Sequence, residues 1–348
     1  MREILIHTAV VLACVGYGSA ARVAQRIING KAVEQSSAFH AMYAMPTKSA
    51  DSDDWLGCGA SIISPTFALT AAHCFGGGMA PCSGPQQIAL WVGDIELDLE
   101  TSTVVPKGRS FRVEADLICN PDFDGKCSHG ADVALLRLHR SVPHWVKPVS
   151  LDLTGAAAGN VGDTVTAMGF GLVQDPEHPT WVSQDNSPFL RKVSVTVLPQ
   201  ESSSCARVYS GGWGCSDRES EAAAEHLDEQ VCAGSVMGIQ RDTCAGDSGS
   251  PVVDARGVQV AVVSYGGGPG EKLTGSGRMC GDPDFPGVYA RVAAFSDFIR
   301  NNVDDLSESH GFLAPTGDNA YYSSRPVFPH FRSGSLLDDA AGDNEGYA

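Results

Sequence analysis

The sequence predicts an all-β protein closed by one helix near its end. Three observations lead there: short apolar stretches rich in β-branched residues, clusters of Gly, Pro, Asp and Asn between them, and one later stretch with helical spacing. In chain order, strands are expected over 60–63, 88–92, 133–138, 164–168, 193–197 and 258–263. The first carries Ile62 and Ile63 between Gly59 and Pro65. The second carries Ile88, Leu90 and Val92 ahead of Gly93, and the third Val133, Leu135 and Leu136 behind Asp132. The fourth follows Gly162 and Asp163, the fifth carries Val193, Val195 and Val197 ahead of Pro199, and the sixth carries Val258, Val260, Val262 and Val263 behind Gly257. Val292, Phe295, Phe298, Ile299 and Val303 then recur at helical spacing, which gives that helix one apolar face.

The flanks read differently. Residues 1–20 place Arg2 before an apolar stretch at 4–15 and the small residues Gly18, Ser19 and Ala20. This is the pattern of a cleaved secretory signal, and it is too short to span a membrane. Residues 306–348 mix Gly, Pro, Ser and Asp with Tyr321, Tyr322, Phe328 and Phe331 and hold no steady period. They are expected to be a low-complexity, disordered tail, with a docking peptide as the alternative. The chain has eleven cysteines, and loss of Cys14 with the signal leaves an even number, which suits an oxidising compartment. No Cys-x-x-Cys or His-x-x-x-His spacing accompanies them, so no metal site is expected.

The formal charge is -17. Arg2, Arg22 and Arg26 against Glu3 leave the part from Ile27 onward at -19, so nucleic acid is not an expected partner. Such acidity keeps a secreted protein soluble and self-repelling, or steers basic substrates to a negative cleft; net charge alone does not separate the two.

Three short motifs carry chemistry: Thr70-Ala71-Ala72-His73-Cys74, Asp132-Val133-Ala134-Leu135-Leu136, and a later run that contains Gly246-Asp247-Ser248-Gly249. Taken singly, they fit an ordinary histidine, the start of a buried strand and a turn. Taken together, in the order His, Asp, Ser, they supply a base, an orienting carboxylate and a nucleophile. A serine hydroxyl is a poor nucleophile at neutral pH until an imidazole takes its proton, and a buried carboxylate fixes that imidazole's tautomer. An α/β-hydrolase elbow is disfavoured, because Gly-x-Ser-x-Gly would need glycine where the chain has Ser250, and that serine would precede its partners.

With Arg26-Ile27-Ile28-Asn29-Gly30 and Pro286-Gly287-Val288-Tyr289-Ala290-Arg291-Val292 in the same series, the chain resembles the secreted trypsin-like serine proteases of the chymotrypsin family. The resemblance runs from Ile27 to about Val303. It implies two packed six-stranded antiparallel β-barrels with a C-terminal helix, a protease domain over 27–305, and a short activation propeptide at 21–26. It also implies a catalytic triad of His73, Asp132 and Ser248, with the backbone N–H groups of Gly246 and Ser248 as the oxyanion hole and no cofactor.

Asp242 matches the pocket-floor carboxylate that selects Arg or Lys, with Thr243, Ser264, Tyr265, Gly266 and Gly287 as further substrate-binding positions. Thr243 is bulkier than the family's usual Ser or Ala, and Tyr265 stands where Trp is usual. Cleavage after Arg26 would free the Ile27 amine to pair with Asp247, so the chain is expected to be a zymogen. The resemblance implies the bridges Cys58–Cys74, Cys205–Cys232 and Cys244–Cys280. For the remaining cysteines, Cys82 with Cys119 and Cys127 with Cys215 is favoured, and a local Cys119–Cys127 bridge is the alternative. Asp94, Glu96, Asp98 and Glu100 suggest the family's calcium loop, but an apparent insertion before Phe111 leaves that open. Expected partners are protein or peptide substrates containing Arg or Lys, with protein protease inhibitors as candidates, and a monomer with no membrane association. The alternative function is a catalytically silent homologue acting as a binding or adaptor protein.

Overall fold

Strands with one apolar face can bury it by closing on themselves, and this chain does so twice. The computed structural model describes residues 27–34, 37–76, 82, 87–157, 159–174, 182–211, 222–235, 240–266 and 280–306. The expected signal and propeptide at 1–26, Cys215, and the tail beyond Leu306 lie outside the described residues. The first half forms β1 (Lys31–Ala32), α1 (Ala38–Met42), β2 (Tyr43–Pro46), β3 (Ala60–Ile62), β4 (Phe67–Thr70), β5 (Gln87–Asp98), β6 (Thr103–Cys119) and β7 (Ala134–Leu138). The second forms β8 (Thr164–Gly169), β9 (Leu172–Gln174), β10 (Val182–Asn186), β11 (Arg191–Val197), α2 (Ser203–Gly211), β12 (Gln230–Gly234), β13 (Pro251–Val253), β14 (Gln259–Tyr265), β15 (Gly287–Arg291) and α3 (Ser296–Asn302).

Strands β2, β3, β4, β7, β6 and β5 close into a barrel in that order. Strands β8, β11, β12, β15, β14 and β13 form a second six-membered ring, closed by the β11–β8 pairing, with β1 added to β11. The fold is therefore two six-stranded antiparallel barrels followed by a C-terminal helix, as the family resemblance implies. In β11, Val193, Val195 and Val197 are buried while Ser194 is exposed. Those valines pack with Val165, Val231 and Val263, and with Ile27, which is 0% exposed. Each such side chain contributes roughly 1.5–3 kcal/mol when fully buried.

Two features go beyond the sequence reading. The expected strand at 88–92 covers only the first half of β5, whose pairing with β6 runs from Gln87↔Asp116 to Asp98↔Thr103 with a register shift at Gly93/Ile95. The apolar stripe at the end begins as a 3-10 turn, Val292–Phe295, before α3, and it buries Val292, Phe295, Ile299 and Val303.

Disulfides join Cys58 to Cys74, Cys82 to Cys119, Cys205 to Cys232 and Cys244 to Cys280. The Cys82 bond occupies Cys119 and so excludes the local Cys119–Cys127 alternative. Cys127 is itself disulfide-bonded. Cys58–Cys74 fastens the segment that carries His73, and closing a loop of that size is worth roughly 3 kcal/mol in the chain-entropy account.

Candidate active site

The barrel register brings the first two chemical residues together. Strands β4 and β7 are antiparallel neighbours with Thr70 opposite Ala134, so residues just after β4 lie beside residues just before β7. His73 sits in the 3-10 turn Ala72–Phe75 that follows β4, and Asp132 sits two residues before β7. Asp132 is 1% exposed and accepts from the His73 Nδ1 at 2.8 Å and from the His73 main-chain amide at 2.9 Å. Ser264 of β14 donates a third hydrogen bond to it, at 2.5 Å. Because an ionised carboxylate only accepts, Nδ1 carries the hydrogen, and the neutral imidazole keeps its lone pair on Nε2.

Burial alone would raise the Asp132 pKa, but the His73 charge and the hydrogen bonds from His73 and Ser264 together hold it below the usual carboxylate range. The same contact acts on His73. Burial lowers its pKa, and the Asp132 charge and hydrogen bond outweigh that, for a net rise above 6.5.

Ser248 arrives from the second barrel on the turn that precedes β13. Its carbonyl accepts from the Gly59 amide at 2.7 Å, and the Gly249 amide donates to Val263 of β14 at 2.8 Å. Gly249 has φ +77°, and a Cβ there would run into Thr70 Oγ1 and the Gly59 carbonyl and come within 3.1 Å of the Ala71 amide. Glycine thus lets the turn lie against the residues that lead to His73. Among the described residues no hydrogen bond joins Ser248 Oγ to His73 Nε2. Such contacts are often long before a substrate binds. The amides of Gly246 and Ser248 donate to no protein acceptor among the described residues. Gly246 has φ +93°, and a Cβ on it would fall 2.6 Å from Asn186 Nδ2 and 2.9 Å from Trp55.

Two further carboxylates are buried beside this turn. Asp242 is 2% exposed, accepting from the Thr243 amide at 2.8 Å, the Gly281 amide at 3.1 Å and the Tyr289 hydroxyl at 3.5 Å. Burial raises its pKa to about 7 despite those donors, and the Asp247 charge adds to the rise. Above it the backbone is bare: a Cβ on Gly287 would lie 2.8 Å from Asp242 Oδ1, and one on Gly266 would lie 3.1 Å from Gly287 Cα. Thr243 Oγ1 turns to the Tyr289 hydroxyl at 3.3 Å. Asp247 is 0% exposed and accepts from the Gly171 amide at 2.8 Å and the Cys244 amide at 2.9 Å. Burial raises it too, to about 7. Ile27 is packed in the second-barrel core, and Ile28 forms a bridge with Asp242, while Arg26 lies outside the described residues.

Sequence reasoning missed the donors that tune these carboxylates. Ser264, read as a substrate-binding position, turns its hydroxyl onto Asp132, and Tyr265 donates to Gln230 Oε1 at 2.9 Å. The Gly171, Cys244 and Gly281 amides carry no side-chain signal at all. On the β5–β6 hairpin, Glu96 pairs with Lys107 at 3.3 Å and Asp98 accepts from the Glu100 and Thr101 amides.

Several known proteins are similar to this chain. A family model described as Trypsin matches residues 27–299. The CLIP domain-containing serine protease B10 of Anopheles gambiae is 30% identical over 259 residues, covering 71% of this chain and 61% of that protein. The Spaetzle-processing enzyme of Drosophila melanogaster is 28% identical over 71% of this chain and 58% of its own length. Mouse Kallikrein-1 is 27% identical over 71% of this chain and 80% of its own length. The chain thus spans about three fifths of the first two of these relatives. Among solved structures, mouse neuropsin, a serine protease, superposes with a TM-score of 0.55 at 23% identity, covering 78% of this chain and 97% of neuropsin, which speaks for the fold. Since the trypsin model runs from Ile27 into α3 and takes in both barrels, the chain belongs to the trypsin family of serine proteases.

Proposed function

We propose that this protein is a secreted endopeptidase that cuts peptide bonds after Arg or Lys and is made as a zymogen processed after Arg26. One observation supports the reading: Asp132 accepts from both the ring and the backbone of His73, which leaves Nε2 with its lone pair and able to act as a base. In this account Ser248 Oγ attacks the substrate carbonyl as His73 takes its proton. His73 then gives that proton to the leaving amine, and water releases the acyl group by the same steps in reverse. The Gly246 and Ser248 amides hold the developing oxyanion, and losing one such donor costs roughly 3–4 kcal/mol of barrier.

Asp242 pairs with the substrate's guanidinium or ammonium. Asp247 pairs with the amine of Ile27 once the bond after Arg26 is cut, which sets the turn from Asp242 to Ser248 in its working form. The protease domain is taken as 27–305, and the disulfides support an extracellular setting. Incubation with a mixed peptide library tests the reading. Cuts after Arg and Lys by the processed wild type, and none by Ser248→Ala, are expected. A profile led by Phe, Tyr or Leu, or equal cleavage by the variant, contradicts it; no cleavage together with no fluorophosphonate labelling marks a silent homologue.

A further inference from the structure

Asp132 is delivered by a turn that its own residues do not favour. Ala131, directly before it, has φ +55°, in the left-handed region that a residue with a Cβ adopts at a cost of roughly 1–3 kcal/mol, and Gly130 has φ +75°. Such a conformation persists only where neighbours hold it. Here the neighbours come from the other barrel. Glu229 ends the 3-10 segment Ala222–Glu229, and its Oε2 accepts from the Ala131 amide at 2.9 Å. The same oxygen lies where a side chain on Gly130 would have to go. The other oxygen, Oε1, is 3.4 Å from His226 Nδ1. Gln230, the next residue, donates from Nε2 to the Ser128 carbonyl at 3.2 Å while its Oε1 accepts from the Tyr265 hydroxyl at 2.9 Å. Two consecutive side chains of the second barrel therefore hold both ends of the first-barrel turn 128–131.

We propose that Glu229 is a positioning residue: by accepting from the Ala131 amide across the barrels, it fixes the backbone of Asp132 and so aims the carboxylate that grips His73. A hydrogen bond to an ionised acceptor is stronger than a neutral one and suits this task. Without it Ala131 relaxes towards negative φ, Asp132 swings with it, and His73 loses part of what raises its pKa. The inference rests on the protease reading above for its kinetic consequence but not for its geometry.

The test compares full-length, processed wild type with Glu229→Ala and Glu229→Gln, reading the His73 imidazole titration by NMR, kcat and KM on a peptidyl-arginine substrate, and Tm. Glu229→Ala is expected to lower the His73 pKa and to move the acid limb of the kcat profile down with it. Its kcat should fall roughly tenfold to a hundredfold, with KM little changed. Glu229→Gln keeps an acceptor oxygen in place and should stay close to wild type. An unchanged His73 titration in Glu229→Ala, whatever happens to Tm, overturns the proposal. An equal shift in both variants overturns it as well, since that effect would be the lost charge acting at a distance. Should Glu229→Ala fail to fold, Glu229→Asp must give a smaller shift in the same direction, and none would sink the idea. If the wild type has no peptidase activity, the protease reading fails while the titration still decides this one.

Discussion

The two barrels treat their buried carboxylates in opposite ways. Asp132, from the first, accepts hydrogen bonds that include a histidine able to carry charge, and it is held below the usual range. Asp242 and Asp247, from the second, are as deeply buried, but their donors are backbone amides and, for Asp242, a distant tyrosine hydroxyl; burial pushes both up to about 7. Amide hydrogen bonds alone do not offset the desolvation of a carboxylate here, whereas a charged partner does. The first barrel thus carries a finished pair, and the second carries two halves that gain from a cation brought to them.

Breaking the finished pair should have the largest effect. Asp132→Asn removes the charge that fixes the His73 tautomer, and kcat on a peptidyl-arginine substrate is expected to fall roughly 10⁴-fold with the fold retained by circular dichroism. A loss under tenfold would mean that the His73–Asp132 contact is only structural. Asp242→Ser comes next. It leaves a buried substrate cation without its partner, at roughly 3–5 kcal/mol, so kcat/KM for arginine substrates should drop by at least a hundredfold while small neutral ester substrates are spared. An equal drop for both substrates would place Asp242 outside the pocket.

The open halves can also be probed by pH. An amidinium ligand such as benzamidine binds the ionised Asp242, so its affinity should weaken about tenfold per pH unit below about 7. Affinity that stays level down to pH 5 would show a carboxylate with an ordinary pKa and remove the contrast between the barrels. The smallest effect is on stability. Between about 4 and 7 the folded, uncut chain holds protons on Asp242 and Asp247 that the unfolded chain has released, so its Tm should fall as pH rises through that window. A Tm that climbs over the same range at these groups, judged against Asp247→Asn, would contradict the assigned direction.

The first barrel's share of the site is legible in part: Asp132 leads into the strand expected at 133–138, whereas His73 stands out only through its motif, because β4 before it is not among the expected strands and only the β4–β7 register puts the two residues side by side. The second barrel's share is legible only as motif. Ser248 sits on a turn and Asp242 in an isolated bridge with Ile28, and the groups that set the environment of Asp242 and Asp247 include amides of Gly171, Cys244 and Gly281, which any residue but proline could supply. Among the strands, β6 is hidden because Pro106, Lys107, Gly108 and Arg109 interrupt its apolar pattern where it is exposed; pairing with β5 forms it regardless. Ser264 illustrates the same limit on a single residue. Its neighbours mark it as part of a pocket wall, but only the folded structure shows its hydroxyl on Asp132.

The central claim is that the second barrel's turn becomes active when a cation reaches Asp247, and that the cation is the amine of Ile27. The most direct measurement labels Ser248 with a fluorophosphonate in the wild type and in Arg26→Gln, then sequences the amino terminus of the labelled chains. The account predicts label only on chains that begin at Ile27 and none on Arg26→Gln; labelled chains that still carry residues before Ile27 would contradict it.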